Sequence, residues 1–567
     1  MKGPKPAWIV AVVFLAVNGL ASRAAWAQTQ PSTRPGVAAP ATFPATSALA
    51  PRNVDELRSL EAAVGEILPK VMSASVTVFS DAGQGSGVVV SKDGYVLTAG
   101  HAMGRPDSDA WVVFPDGRRA RAKALGQDRT ADAGMLKLVE AGPWPFVEMG
   151  HSAPLKLGQF VVALGQPSDG YRLTRAPVVR LGRILRISDL SLETDCTLDH
   201  GDSGGPLYDL QGKLVGINGA IGSSAEINAH VPIDIFSQDW NRLSKGEVWG
   251  VHALGGNMLG VSVDPAAEGC RITGVADNSP ADKAGIKAGD LLQKFAGADV
   301  RNADALAEQM SQAGIGQEVV LTILRDGQIL KKSLRLLAPS TRPMRKATPD
   351  QSRQGDPLKS AFRPVVATAA RSVVRVRCAG KEACLGTLVS ADGFVLTQAS
   401  VLHEPITCVL AGTTCQARIV SRRGEYDLAM LKLDFQGVRL DPAGVVAIAF
   451  DGSVKLEAGR WVAAPGALAG AMTIGVISLP RLGLPPSDPA AGRAYFQDDS
   501  HFPAVFQHDA ILRAADCGGP VVDLDGRAIG LNISRPSRAA TYAIPADVIV
   551  GLLDEMKAEK SPATQHK

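Results

Sequence analysis

The chain is poor in aromatic residues, which make up 5% of 567 residues, and only its first two dozen residues hold a long apolar stretch. No later segment approaches the roughly 20 apolar residues that a membrane-spanning helix needs. A basic block is also missing. The formal net charge is +3, and it falls to zero once Lys2, Lys5 and Arg23 are set aside with the N-terminal segment. A neutral chain without a basic stripe lacks the electrostatic footprint of a nucleic-acid binder.

Glycine (59) and proline (36) are plentiful, which suits many short strands joined by turns. Residues 1–27 read as a signal peptide. Lys2 and Lys5 precede the apolar stretch Trp8–Ala21, and Ala25-Trp26-Ala27 offers small residues for cleavage after Ala27. An uncleaved anchor is the alternative, disfavoured by the short stretch and by Asn18. The reading implies an exported protein, periplasmic or secreted. Residues 28–52, rich in Pro, Ala, Thr and Ser, form a linker.

Asn53 is placed to cap a helix through about Pro69, with Leu57, Leu60, Val64 and Leu68 on one face. Short β-rich runs follow from Ser73, giving a first domain at 53–245. Residues 253–338 form a different module, ending in a hairpin with Asp326-Gly327 as its turn and carrying a helix at Ala303–Ala313. Residues 339–360 are polar and read as a second linker. Residues 361–557 then repeat the first domain. DGYVLTAGH at 93–101 returns as DGFVLTQAS at 392–400, DAGMLKL at 132–138 as DLAMLKL at 427–433, and DSGGPLYDLQGKLVGIN at 202–218 as DCGGPVVDLDGRAIGLN at 516–532. Three matches in order mark an internal duplication. The second copy carries about 19 extra residues, expected as a loop around PRLGLPPSDPAAGRAY. The expected class is mainly β: two double β-barrel domains with a mixed module between them.

The first copy carries a nucleophile's requirements. A serine hydroxyl needs a base, and the base needs a partner to fix its tautomer. His101 follows a strand, Asp132 precedes one, and Ser203 sits in the Gly-rich turn Gly201-Asp202-Ser203-Gly204-Gly205-Pro206. Gly201 and Ser203 are the expected oxyanion-hole donors. TAGHAM, DAGMLKL and GDSGGPL resemble the trypsin-like serine proteases, and specifically the high-temperature-requirement (HtrA) family. That family has Asn before the nucleophile and Ala after the double glycine, where this chain has Asp202 and Pro206. The resemblance implies a serine endopeptidase acting on unfolded or mislocalised proteins outside the cytoplasm, in oligomers that are often trimers. Thr197, six residues before Ser203, is expected near the base of the specificity pocket. Since it is not acidic, it argues against a Lys/Arg preference. Asn218, Gly219 and Ala220 are expected along the substrate's edge strand. No cofactor is expected.

SPADKAGIKAGDLL at 279–292 resembles the PDZ domains that follow HtrA-type proteases. The resemblance assigns Leu259, Gly260 and Val261, after Met258, to a loop whose N–H groups take a peptide C-terminus. In the second copy Ser400 holds the base position, Asp427 the orienting position, Cys517 the nucleophile position, and Ala515 replaces the oxyanion glycine. A cysteine can serve as nucleophile, but it needs an aligned base. His403 is three residues displaced, and His508 aligns with Thr194, so the second copy reads as a pseudoprotease.

Seven cysteines complete the inventory. Cys196, Cys270 and Cys517 are scattered, while Cys378, Cys384, Cys408 and Cys415 cluster in the second copy. A three-residue turn opposing Cys378 to Cys384, and an Ala411-Gly412 turn opposing Cys408 to Cys415, are expected to allow two hairpin disulfides. Zinc pairs lie two to four residues apart, so these spacers of five and six argue against a metal. The competing functional class is a peptide-binding scaffold in which proteolysis is secondary.

Overall fold

The computed structural model describes residues 51–167, 176–222, 224–249, 259–263, 269–275, 279–302, 305–306, 309–310, 313, 317–336, 345–436, 445–468, 470–483 and 502–559. The signal peptide and almost all of the first linker lie outside them. A helix spans Val54–Ala74, with Asn53 as its cap, its side chain accepting from Glu56 N at 2.9 Å. It runs five residues beyond the expected end, carrying Pro69 inside it. Leu57, Leu60, Val64, Leu68 and Val71 are buried on one face, as the period of 3.6 requires.

Six strands follow: β1 (Ser75–Ser80), β2 (Gly83–Val89), β3 (Tyr95–Ala99), β4 (Asp109–Val113), β5 (Arg119–Asp128) and β6 (Ala133–Leu138). They run β5-β4-β1-β2-β3-β6, and a β5–β6 pairing closes the barrel. A second barrel comprises β7 (Phe160–Gly165), β8 (Val178–Ile187), β9 (Leu192–Thr194), β10 (Pro206–Tyr208), β11 (Leu214–Ile221) and β12 (Asn228–Pro232). Its order is β8-β7-β10-β11-β12-β9, closed by β8–β9. Closure leaves each barrel few free edges and a filled interior. The second copy repeats both as closed six-stranded barrels, one from Val373–Cys378 to Leu428–Asp434 and one from Trp461–Pro465 to Ala540–Pro545.

Between the copies the PDZ region has its own core, including Leu259, Ile272, Leu292, Phe295, Leu321 and Ile323. Its main strands run in the order Val261–Val263, Cys270–Val275, Leu291–Phe295, Glu318–Arg325, Gln328–Arg335. Asp326 and Gly327, at φ of 49° and 78°, form the expected two-residue turn. The helix expected at Ala303–Ala313 falls only partly within the described residues.

The second linker departs from its expectation. Residues 345–360 are not a free tether. Arg345 and Lys346 pair with Arg186 and Ile187 of β8, and a helix begins at Asp356. Between them Arg353, 1% exposed, joins the two copies. Its N–H donates to Asp195 (2.6 Å), and its guanidinium donates to Leu181 O (2.6 Å), to Asp509 O (3.1 Å) and to the Asp509 carboxylate. Asp195 and Asp509 are equivalent positions. Each accepts from a strand N–H of its own copy, Arg183 at 2.6 Å and Val476 at 2.7 Å. Trp461 is buried beside Phe160 and Phe362, at 6.2 and 5.5 Å between ring centres. One apolar core thus runs through both copies. The expected insert is strand as far as Leu482, and from residue 484 on it lies outside the described residues.

The expected disulfides are absent: all seven cysteines are free, buried thiols. The first hairpin turns at Ala379-Gly380, so Cys378 faces Lys381. A bulge after Val376 then sets Cys384 opposite Val376, not opposite Cys378. Cys408 and Cys415 do face each other across the Ala411-Gly412 turn, as reduced thiols.

Breaking a buried ion pair typically costs about 3–5 kcal/mol, because the surviving charge stays buried. Arg353→Ala is expected to lose that much stability in urea unfolding. A loss below about 1 kcal/mol would show that the joint between the copies does not depend on this side chain.

Candidate active site

The site begins with the register of β3 against β6. Ala99 faces Ala133, so the turn after β3 lies against the turn before β6. His101 is in the first turn and Asp132 in the second. Asp132 has a φ of 59°, a left-handed conformation that Asp tolerates better than most residues. Its Oδ1 accepts from the His101 backbone N–H at 2.8 Å, and its Oδ2 lies 2.8 Å from His101 Nδ1. A proton held on Nδ1 by the carboxylate leaves Nε2 free to accept one. The hydrogen bond that His101 donates to the Asp132 carboxylate raises the His101 pKa above its ordinary value, with burial opposing and the carboxylate charge reinforcing.

Ser203 arrives from the other barrel. Its carbonyl accepts from Ser86 N at 2.8 Å, Ser86 Oγ donates to Gly201 O at 2.7 Å, and Thr98 Oγ1 donates to Ser86 O at 2.7 Å. The turn is pressed so closely on β2 and β3 that a Cβ at Gly204 would lie 2.1 Å from Ser86 O and 3.0 Å from Ala99 N. A Cβ at Gly85 would meet both Ala102 (2.9 Å) and Ser203 O (3.2 Å). The turns that carry His101 and Ser203 therefore lie side by side against β2. Among the described residues they are not hydrogen-bonded to each other, and such contacts are commonly long without substrate. Gly201 has a φ of 90°. Among the described residues, neither Gly201 N nor Ser203 N donates to a backbone acceptor.

The substrate-side expectations fare unevenly. Thr197 is fully buried, and its hydroxyl has no partner among the described residues. Asn218 is not an edge residue. Its Nδ2 donates to Leu164 O (2.9 Å) and Asp202 O (3.2 Å), and its Oδ1 faces His230 Nδ1 at 3.0 Å. Its backbone is bonded to Gly204 and Gly205. Nothing of Asn218 is left for a substrate, so it braces the nucleophile turn instead. The bulge at Gly219 ends that involvement, and Ala220 beyond it is exposed.

The second copy keeps the scaffold. Asp427 is again left-handed (φ 51°), and its Oδ1 accepts from Ser400 N at 2.6 Å. Where the imidazole would stand, Ser400 Oγ (2.8 Å) and Gln398 Nε2 (2.9 Å) donate to Oδ2. Burial pushes the Cys517 thiol up to about 12, which keeps it protonated. His508 is fully buried against Asn532 at 2.8 Å and is pushed down to about 4 by burial. His403 is exposed, its N–H directed at Cys378 Sγ. In the PDZ region Leu259 and Val261 are buried and Gly260 is left-handed at φ 76°. Met258 lies outside the described residues. The strand Val261–Val263 ends the described sheet order with one edge unpaired.

Comparison with known proteins agrees with this architecture. A family model of the trypsin-like peptidase domain matches residues 85–217 and again 384–531, and one of the PDZ domain matches 257–336. The chain therefore carries two trypsin-like peptidase domains flanking a PDZ domain. It is similar to curated proteins named as probable periplasmic serine endoproteases. It is 34% identical over 257 residues to a probable periplasmic serine endoprotease, DegP-like, of Hahella chejuensis, covering 43% of this chain and 54% of the relative. The corresponding protein of Marinomonas sp. is 33% identical over 291 residues, covering 48% and 61%. A probable periplasmic serine protease, do/HhoA-like, of Haemophilus influenzae is 31% identical over 294 residues, covering 49% and 63%. The chain thus spans little more than half the length of these relatives.

Nitrogen-detected NMR of the imidazole rings offers a direct check. His101 is expected to titrate above the ordinary value of about 6.5 and to fall in Asp132→Asn. His230, pushed to about 3 by burial, is expected to stay neutral through the same range. A wild-type His101 midpoint at or below about 6.5 would contradict the carboxylate's control of the ring.

Proposed function

We propose that this protein is an exported serine endopeptidase that cleaves peptide bonds of unfolded or misfolded proteins, using His101, Asp132 and Ser203. Ser203 Oγ attacks the scissile carbonyl while His101 Nε2 takes its proton. Asp132 stabilises the imidazolium, and the Gly201 and Ser203 N–H groups hold the oxyanion. His101 then protonates the leaving amine, and water releases the acyl group by the same steps. The observation that carries the reading is the Asp132–His101 pair, its carboxylate bonded to both backbone and ring at 2.8 Å.

The names of the relatives support a periplasmic location. The unpaired edge at Val261–Val263 suits a peptide added as a strand, its C-terminal carboxylate held by N–H groups of Leu259, Gly260 and Val261. The second copy does not cleave: its orienting carboxylate is filled by Ser400 and Gln398, and its Cys517 is a buried thiol. It acts instead as a brace. Arg538 of this copy donates to Ser224 O at 2.6 Å, on the loop that follows the exposed end of β11.

Degradation of unfolded casein tests the assignment. Ser203→Ala is expected to lower turnover by at least about 10³-fold, and Cys517→Ala to leave it within about twofold. Full cleavage by Ser203→Ala would overturn the assignment. Loss confined to Cys517→Ala would exchange the roles of the two copies, and a wild-type protein that binds casein without cutting it would favour the scaffold.

A further inference from the structure

The residue before the nucleophile is a fully buried charge in the first copy and a half-buried one, paired with a surface arginine, in the second. Asp202 is 0% exposed, and its Oδ2 lies 2.8 Å from the guanidinium of Arg180, which is also 0% exposed. The same oxygen accepts from Asp199 N at 2.7 Å, closing the turn that leads to Ser203. Arg180 comes from β8, where it faces Ala163 of β7. The equivalent position in the second copy, opposite Ala464, is Thr473. Without a cation beneath it, Asp516 turns to Arg513 at 2.7 Å, a side chain 83% exposed.

The turns differ where the chemistry would occur. In the second copy Cys517 N donates to Ala514 O at 3.2 Å, inside a single 3-10 turn. The N–H that would serve an oxyanion is consumed. In the first copy Ser203 N has no such backbone partner among the described residues. Gly201 holds a φ of 90°, which Ala515 does not adopt and which an L side chain resists. Glycine permits the open turn, but glycine is also free to leave it.

We propose that Arg180 is the positioning residue that holds the oxyanion turn open, by binding Asp202 beneath it. Charge in a dry interior is costly unless paired. Turning Asp202 to an exposed partner, as Asp516 is turned to Arg513, would strand the Arg180 cation. The pair therefore ties the turn's position to the satisfaction of two buried charges, and the N–H groups of Gly201 and Ser203 are set before substrate arrives. This inference rests on Ser203 being the nucleophile.

The test uses full-length protein, a fluorogenic peptide and a peptide aldehyde, whose adduct needs the oxyanion donors. Arg180→Met strands Asp202, so Arg180→Met with Asp202→Asn is made alongside it, and Arg180→Lys is the conservative control. The double variant is expected to fold by circular dichroism, with kcat down about 10²–10³-fold, KM within about threefold and aldehyde affinity falling with kcat. Arg180→Lys is expected to recover most of the loss. A folded double variant with kcat within about threefold of wild type would overturn the proposal, as would Arg180→Lys no better than Arg180→Met. Failure of the charge-free double variant to fold would assign the pair to folding and also overturn it. If wild type itself shows no Ser203-dependent cleavage, the reading beneath the proposal fails, not the latch alone.

Discussion

A carboxylate on a left-handed residue organises both halves of this molecule. Asp132 and Asp427 are each left-handed and precede a barrel strand, and each carboxylate reaches the turn that follows the neighbouring strand. One oxygen is taken by a backbone N–H, of His101 or Ser400. That bond fixes where the base-position Cβ points, whatever side chain it carries. The other oxygen is left for that side chain. In the first copy it orients an imidazole, and in the second it satisfies a hydroxyl and an amide. The scaffold outlives the chemistry because a half-buried carboxylate is still satisfied by its donors.

The second copy then departs at three linked places. Ser400 removes the base, Ala515 removes the backbone freedom of Gly201, and Thr473 removes the cation beneath the nucleophile turn. Each change agrees with the others: the turn tightens, Cys517 N is consumed, and Asp516 pairs with the exposed Arg513. What remains is a well-packed double barrel fused to the first through Arg353, Trp461 and a shared core. The carboxylates that meet at Arg353 are the same position in the two copies, so one side chain answers a pseudo-twofold need.

The motifs made much of this legible. The duplication, the β class, the His101–Asp132 turn pair and the PDZ region were readable because each rests on local sequence: a strand pattern, a turn, a Gly-rich hexapeptide. What escaped was long-range. Arg353 sits in a stretch whose polarity reads as a tether, and only its two carboxylates, from distant strands, explain its burial. Arg180 left a signal, a charge inside the apolar run VVRLGRIL, but its partner 22 residues on was visible only in three dimensions. Asn218 looked like an edge residue by position and proved to be a brace by its hydrogen bonds. The Cys378–Cys384 pairing failed on the turn, since a two-residue turn at Ala379-Gly380 sets Cys378 opposite Lys381.

The central claim is that one nucleophile in this chain is armed, and that it is Ser203. Intact mass spectrometry after treatment with a fluorophosphonate measures this directly, since the reagent reports a serine activated by its base and oxyanion donors. The account predicts a single adduct per chain, mapped to Ser203 and lost in His101→Ala. No adduct, an adduct mapped to the second copy, or labelling that survives in His101→Ala would contradict it.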